Sequence, residues 1–553
     1  MSERRSRVIP LAGGCLAALL LLLWLMLTGR THPADRPAAA AGPSVAGTVD
    51  AGRSAVATPP ALTAAAATPL LRPVLRNLRQ ALDQPDVRPH EAVLTFANAE
   101  AYRRFLARAA RLGLTVLGQL DSLLTVRVRY ESLAGLEADL LANAADYAEV
   151  GANFYISPPS TPAKQDRAAQ ILVPFGNDML SFLGATGDRS QWGRGITLAV
   201  LDSGVVPDST FGQGRLQYLD IGLGTAADTG PEDGHGTAVA ALAAGESPNA
   251  PGVAPAADIL SIRITDANTQ SDVFTVASAI LAAVDAGAQI VNISLGGYDT
   301  SAVLSNAIAY ATQRGVVIVA SAGNDQAAEL TWPAADARVV SVGAVDALGQ
   351  QVTFSNSGPQ LQMTAPGYGV QTAWLDGQRV SFDGTSASAP IVAGAIAALM
   401  SVNPGMSAAQ AWQTLQQYAS DGGAPGPDPD YGNGILNLGW AMNRNDPLRI
   451  DTAISSHYYD AATGQMEFEV QNRSGQGVSG MELNIDAGGV SSTAAIPLLG
   501  PGATYVVKVP VDQSQLAASG SIVFRTELVN PPGIVDQVPA NNRRTSSLSA
   551  PSK

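Results

Sequence analysis

The sequence predicts an α/β fold: a parallel sheet with helices on both faces, preceded by a small α+β ferredoxin-like module and followed by a β-sandwich. Three observations carry that expectation. Between about Gln191 and Asn445, short apolar runs alternate with helix-patterned segments, the signature of a parallel sheet. Several of those runs are continuously apolar, as strands covered on both faces are. On either side the pattern changes, to β-α-β-β-α-β before it and to short alternating strands after it. The expected domains are 1–30, 31–90, 91–160, 170–446 and 448–553.

At the N-terminus, Arg4, Arg5 and Arg7 precede a charge-free segment from Val8 to Gly29, centred on "LAALLLLLWLML". A bilayer-spanning helix needs about 20 apolar residues, whereas a signal h-region has about 7–15. Residues 8–29 therefore read as a membrane anchor, with cleavage in "PAAAAGPSVAG" as the alternative. The preceding arginines favour a cytoplasmic tip and an exported remainder. From Thr31 to about Pro69, Ala, Pro, Thr and Ser dominate, and residues 31–90 read as a linker.

The next segment reads as a strand, "EAVLTFA", then a helix with Tyr102, Phe105, Leu106 and Ala109 on one stripe. Asn98 is its expected cap and Gly113 its end. "LTVLGQL" and "LLTVRVRY" are strands, "SLAGLEADLLANA" a second helix, and Tyr147 to Val150 a short last strand. In the central region "GITLAVLD", "AADILSIRIT", "AQIVNISLG", "GVVIVASAG" and "RVVSVGAV" are the strands. Helices such as "DVFTVASAILAAVDAG" and "SAVLSNAIAYATQRG" lie between them. From Leu448 onward helices vanish, and "QMEFEVQN", "MELNIDAG", "ATYVVKVP" and "SIVFRTEL" suggest a sandwich of about 100 residues.

The bulk composition excludes several functions. The 553 residues are 46% hydrophobic and 14% charged, which permits packed cores. A formal net charge of -14 argues against a nucleic-acid partner. With Cys15 as the single cysteine, there is no intramolecular disulfide and no cysteine-based metal site.

Ligands on parallel sheets bind beyond the carboxyl ends of the strands. The polar residues fall there: Asp202 after "TLAV", Asn292 and Ser294 in "IVNISLGG", Asn324 after "VVIVASAG". His235 stands between glycines in "EDGHGTAVAALAAG", and Ser386 opens the small-residue helix of "DGTSASAPIVAGAIAALM", with Pro390 in its first turns. Singly, each has a plain structural reading as turn, loop or cap residue. Together they stand in the order Asp, His, Ser, one of the known orders of a catalytic triad.

On these motifs the chain resembles the subtilisin-like serine proteases, the subtilases of peptidase family S8. The likeness runs from roughly Phe175 to Asn445. "LDSG", "DGHGTAVA", "SLGG", "SAGN" and "GTSASAP" occur in sequence, with "GVAPAADI", "WPAA", "FSNSGP" and "TAPG" beside them. The resemblance implies a subtilisin-like sheet and a serine endopeptidase (EC 3.4.21) acting on protein or peptide substrates. It implies catalytic Asp202, His235 and Ser386, and Asn324 as oxyanion donor. Ser294, Leu295, Gly296 and Gly297 would form the substrate-binding strand edge, and Ala322 and Gly323 the opposite wall, with Thr331 at the back of the pocket. Ser386 is expected to be helix cap and nucleophile at once.

The resemblance also makes the 91–160 module an inhibitor-like propeptide, the enzyme's own partner, cut off between about Ile156 and Pro174. No cofactor is implied. Many relatives bind structural calcium, for which no ligands are assigned here. Two departures stand out: Ala387 where the family commonly has Met, and Ala238 where many members carry a second His. The rival readings are a catalytically inactive scaffold of the same fold and another hydrolase such as an esterase. Against the latter, the Gly-x-Ser-x-Gly elbow is absent at Ser386.

Overall fold

A computed structural model describes residue 76 and residues 78–158, 172–208, 210–225 and 234–550. The anchor expected at 8–29 and most of the expected cleavage region lie outside these residues. The chain forms two compact units, which divide between Asn153 and Phe154.

The first unit contains β1 (Val87–Phe96), α1 (Ala99–Arg108), β2 (Leu114–Leu120), β3 (Thr125–Tyr130), α2 (Ala134–Ala142) and most of β4 (Tyr147–Ile156). Its strand order is β2-β3-β1-β4, the split βαβ arrangement. Asn98 caps α1, its side chain accepting from the N–H groups of Glu100 and Ala101. Gly113, left-handed at φ +70, ends the 3-10 turn that follows. Two boundaries differ from expectation. The segment 31–90 is not linker to its end: Leu78 is buried in this unit's core and β1 starts at Val87. The last strand continues beyond Val150 to Ile156. Tyr155 and Ile156, already in the second unit, find backbone partners there in Asp272 and Ser271.

The second unit is built on a seven-stranded sheet of order β12-β11-β10-β9-β5-β7-β6. Its strands are β5 (Thr197–Asp202), β6 (Leu216–Tyr218), β7 (Asp258–Arg263), β9 (Ile290–Ile293), β10 (Val317–Ser321), β11 (Val340–Val345) and β12 (Met363–Pro366). The short β8 (Ser271–Asp272) lies outside this sheet. All six pairings are parallel. From β5 the chain builds outward to β7 on one side and then returns to lay β9 to β12 on the other. The order therefore reverses between β5 and β9, and a crevice opens at their carboxyl ends. Asp202 ends β5 and Ser294 follows β9, so two of the singled-out residues flank this switch point.

The longer helices around this sheet are α3 (His235–Ala244), α4 (Val273–Asp285), α5 (Ala302–Gln313), α6 (Thr385–Val402) and α7 (Ala408–Gln417). A hairpin of β13 (Val370–Ala373) and β14 (Arg379–Phe382) leads into α6. From Thr385 to Met400 every residue of α6 is buried, because Ala, Gly and Ser side chains let neighbouring backbones close on it from all sides. It is the one helix among the described residues long and apolar enough to span a bilayer, and it is a core helix.

The C-terminal part has two antiparallel sheets. One is β15-β16-β19 (Thr452–Asp460, Gln465–Asn472, Thr504–Pro510). The other is β18-β17-β20-β21 (Val490–Ala495, Glu482–Ala487, Ser521–Val529, Arg543–Ser549). Phe468 and Phe524 meet in the core between them, ring centroids 6.0 Å apart. Helices do not vanish here as expected. The helix α8 (Gln513–Ser519) is capped by the Asp512 side chain and stopped by Gly520 at φ +75.

Candidate active site

Asp202 is fully buried at the end of β5. One carboxylate oxygen, Oδ1, accepts from the Ser203 N–H at 2.8 Å and lies 2.8 Å from His235 Nδ1. A carboxylate only accepts, so this bond fixes the proton on Nδ1 and turns Nε2 into the basic nitrogen. His235 is the first residue of α3 and is itself buried. The Phe382 ring meets its imidazole edge to face, centroids 5.3 Å apart.

Ser386 is not the N-cap expected of it. Gly384 holds that place, at φ +125, and Ser386 is the second residue of α6. The physical reason is a cap supplied from the loop after β10. Asn324 Oδ1 accepts from the Thr385 N–H and from Thr385 Oγ1, each at 2.9 Å. Those two donors also orient the amide: with Oδ1 committed, Nδ2 faces Gly384. A Cβ at Gly384 would come within 2.8 Å of it, so only glycine fits in both torsion and space. The amide thus presents a donor one peptide away from Ser386, at a helix start where partial positive charge collects.

Ser294 and Ser386 are joined in both directions. Ser386 Oγ donates to the Ser294 carbonyl, and Ser294 Oγ donates to the Ser386 carbonyl, each at 3.2 Å. The second bond has a cause in the sequence. In a helix the Ser386 carbonyl would accept from residue 390, but Pro390 has no N–H. The Ser294 hydroxyl fills the vacated position, itself held by Asn292 Nδ2 at 3.0 Å.

Beyond Ser294 the chain is an extended edge. Leu295 is fully buried and anchors it, leaving recognition there to the main chain. Gly296 exchanges two backbone hydrogen bonds with Ser157, of 3.1 and 2.9 Å, and Gly297 does the same with Trp332. Thr331 packs between this edge and the opposite wall. A Cβ on Gly296 would fall 2.3 Å from Thr331 Oγ1, which itself donates to the Ser321 and Ala322 carbonyls. Ala322 and Gly323 are held in turn by Val342 and by Thr385 Oγ1.

The structure thus brings Asp202 to His235, Asn324 to the start of α6, and Ser386 to Ser294. Two positioning residues escaped sequence reasoning although they stand inside quoted motifs. Thr385 orients Asn324. Asn356, of "FSNSGP", is fully buried, and its Oδ1 accepts from the N–H groups of Asp325 and Ala327. Among the described residues no group of three His, Cys, Asp or Glu side chains is placed to hold a metal ion.

A profile of the Subtilase family matches residues 193–434. The thermostable alkaline protease of Halalkalibacterium halodurans is 33% identical over 281 residues, 49% of this chain and 73% of that one. Subtilisin Savinase of Lederbergia lenta is 34% identical over 257 residues, 46% of this chain and 93% of that one. Among solved structures, fervidolysin from Fervidobacterium pennivorans, described as a keratinolytic enzyme related to subtilisin, aligns with a TM-score of 0.56. That alignment covers 85% of this chain and 77% of the other at 21% identity, a likeness of fold.

Proposed function

Because the chain belongs to the subtilase family and is a subtilisin-like serine endopeptidase, we propose that Asp202, His235 and Ser386 are its triad. Ser386 Oγ attacks the scissile carbonyl while His235 Nε2 takes its proton, later returning it to the leaving amine. Asp202 keeps the imidazole in that tautomer and stabilises the imidazolium. Asn324 Nδ2 and the Ser386 N–H receive the oxyanion, donors set in place before the charge develops. Side chains and one backbone N–H of the protein supply this chemistry, without a cofactor. The observation that carries the reading is the buried 2.8 Å bond between Asp202 and His235, which leaves Nε2 as the basic nitrogen.

The substrate is a protein or peptide laid against Ser294–Gly297 as an added strand. The Ser157 pairing with Gly296 supports this, since a segment of the chain already uses that edge in extended form. The same contact supports the 91–160 module as a propeptide that is cut away after folding. Export through residues 8–29, as an anchor or a signal, completes the proposal.

A fluorophosphonate probe tests the catalytic reading. It labels the wild-type protein and leaves Ser386→Ala unlabelled; correctly folded wild-type protein that resists labelling leaves the inactive scaffold standing. Blotting an N-terminal tag tests the zymogen reading. Self-cleavage releases a short tagged fragment from wild type and none from Ser386→Ala, and identical full-length bands exclude it.

A further inference from the structure

The hairpin β13–β14 does more than connect β12 to α6. Its second strand ends at Phe382, whose ring meets the His235 imidazole, and runs through Gly384 into the helix that carries Ser386. Its first strand holds α3 through Thr372 Oγ1, which donates to the Ala238 carbonyl at 3.1 Å. Trp374, just past that strand, lies with its ring 6.1 Å from Phe382. The indole sits directly on Gly234, the residue before His235. A Cβ there would fall 2.3 Å from Trp374 Cε2 and 2.4 Å from Cδ2.

Gly234 has ordinary right-handed torsions, φ -72 and ψ -7, which any residue adopts. Nothing in the backbone demands glycine at this position. The indole does, because its face occupies the volume that a side chain would fill. The hairpin therefore grips the first turn of α3 at Gly234, His235 and Ala238, while its own end leads into the nucleophile's helix. On these contacts we propose that Trp374 is a positioning residue: by clamping Gly234 it sets the His235 imidazole against Ser386. The inference rests on the triad reading above and adds a residue that is not in the triad.

A misplacement of about 1 Å costs about 100-fold in rate when it disturbs an aligned attack. The test uses the purified full chain and its variants Trp374→Ala, Trp374→Phe, Gly234→Ala and the double variant Gly234→Ala/Trp374→Ala. Trp374→Ala is expected to lower kcat by about 10- to 100-fold with KM within about twofold. The low-field proton resonance of the His235–Asp202 bond should move or broaden, and the acid limb of kcat/KM should shift. Trp374→Phe restores a flat ring and most of the rate. Gly234→Ala reproduces the defect, because its methyl and the indole compete for one volume. The double variant is then no slower than Gly234→Ala alone, a non-additivity that independent structural damage would not give.

Wild-type kcat and an unmoved resonance in Trp374→Ala overturn the inference, as does a loss confined to KM. If Trp374→Ala does not fold, Gly234→Ala decides: a wild-type rate there overturns it. Fluorophosphonate labelling of wild type is the control. Its failure removes the triad reading, whereas labelling with unaltered variants removes only the role of Trp374.

Discussion

At Pro390 a missing proton shapes the active site. Without the ring, an N–H at position 390 would close the α6 ladder onto the Ser386 carbonyl. With it, that carbonyl depends on the Ser294 hydroxyl, and the edge that begins at Ser294 becomes fastened to the residue proposed as nucleophile. Ser294→Ala should therefore leave a buried carbonyl unpaired and cost about 1–3 kcal/mol of stability. Adding Pro390→Ala returns the ladder hydrogen bond, so the double variant should be more stable than Ser294→Ala alone. Denaturant titration of the set on the Ser386→Ala background, where self-digestion is removed, gives the comparison; simple additivity would refute the linkage. Pro390 was legible in the sequence as an early-helix proline. Its consequence was not, because the partner hydroxyl lies 92 residues away and is adjacent only once β9 and α6 have packed.

At the scale of elements, the crossing of α3 and α6 constrains the site, since the two helices carry His235 and Ser386. Gly394 of α6 sits at that crossing. A Cβ there would lie 2.7 Å from the Ala243 carbonyl and 3.0 Å from Val253 Cβ. Helix propensity alone favours alanine over glycine by about 0.8–1.0 kcal/mol. Overpacking a closed core costs about 1–3 kcal/mol, and here the obstruction is backbone, which yields least. Gly394→Ala is thus expected to be net destabilising, by about 1 kcal/mol. A melting temperature that rises in the variant would show that the helices separate freely. The strands of this region were readable because β5, β10 and β11 are largely apolar on both faces and five or six residues long. The four-residue strands of β12 and the β13–β14 hairpin carry no such run, and α8 offers one buried apolar residue, Leu516, from which no period can be read. The site motifs were legible because they sit at strand ends and helix starts beside glycines, where the residue type itself carries the information. The cap of α6 was misread because Asn324 provides it from the loop after β10, 61 residues away in the chain.

At the scale of the molecule, the sandwich and the sheet domain share a buried ionic junction. Asp421, after α7, accepts from the Gly422 and Gly426 N–H groups at 2.9 and 2.7 Å and faces Glu469 of β16. Glu469 accepts from Ser455 Oγ at 2.9 Å, and the Arg544 guanidinium donates to the Ser455 carbonyl at 2.8 Å. Burial, and after it the bond to Glu469, push the Asp421 carboxyl up to about 8. The folded protein then holds a proton that the unfolded chain has released, so stability falls as pH rises from about 4 to 8. His457, half-buried between Ser546 and Thr526, works in the opposite sense. Burial, with Arg544 nearby, pushes it down to about 3, so stability rises with pH from about 3 to 6.5. Each group contributes a slope of about 1.4 kcal/mol per pH unit within its window, of opposite sign. From about pH 4 to 6.5 they cancel, and from about 6.5 to 8 the fall due to Asp421 stands alone. In Glu469→Gln the amide can donate to an ionised Asp421, which removes the second of these causes and leaves burial alone to hold the proton. Thermal melts across this range, again on the Ser386→Ala background, should show the variant gaining on its parent from about pH 6.5 to 8. Curves that stay parallel would mean that the junction carboxyls do not share a proton.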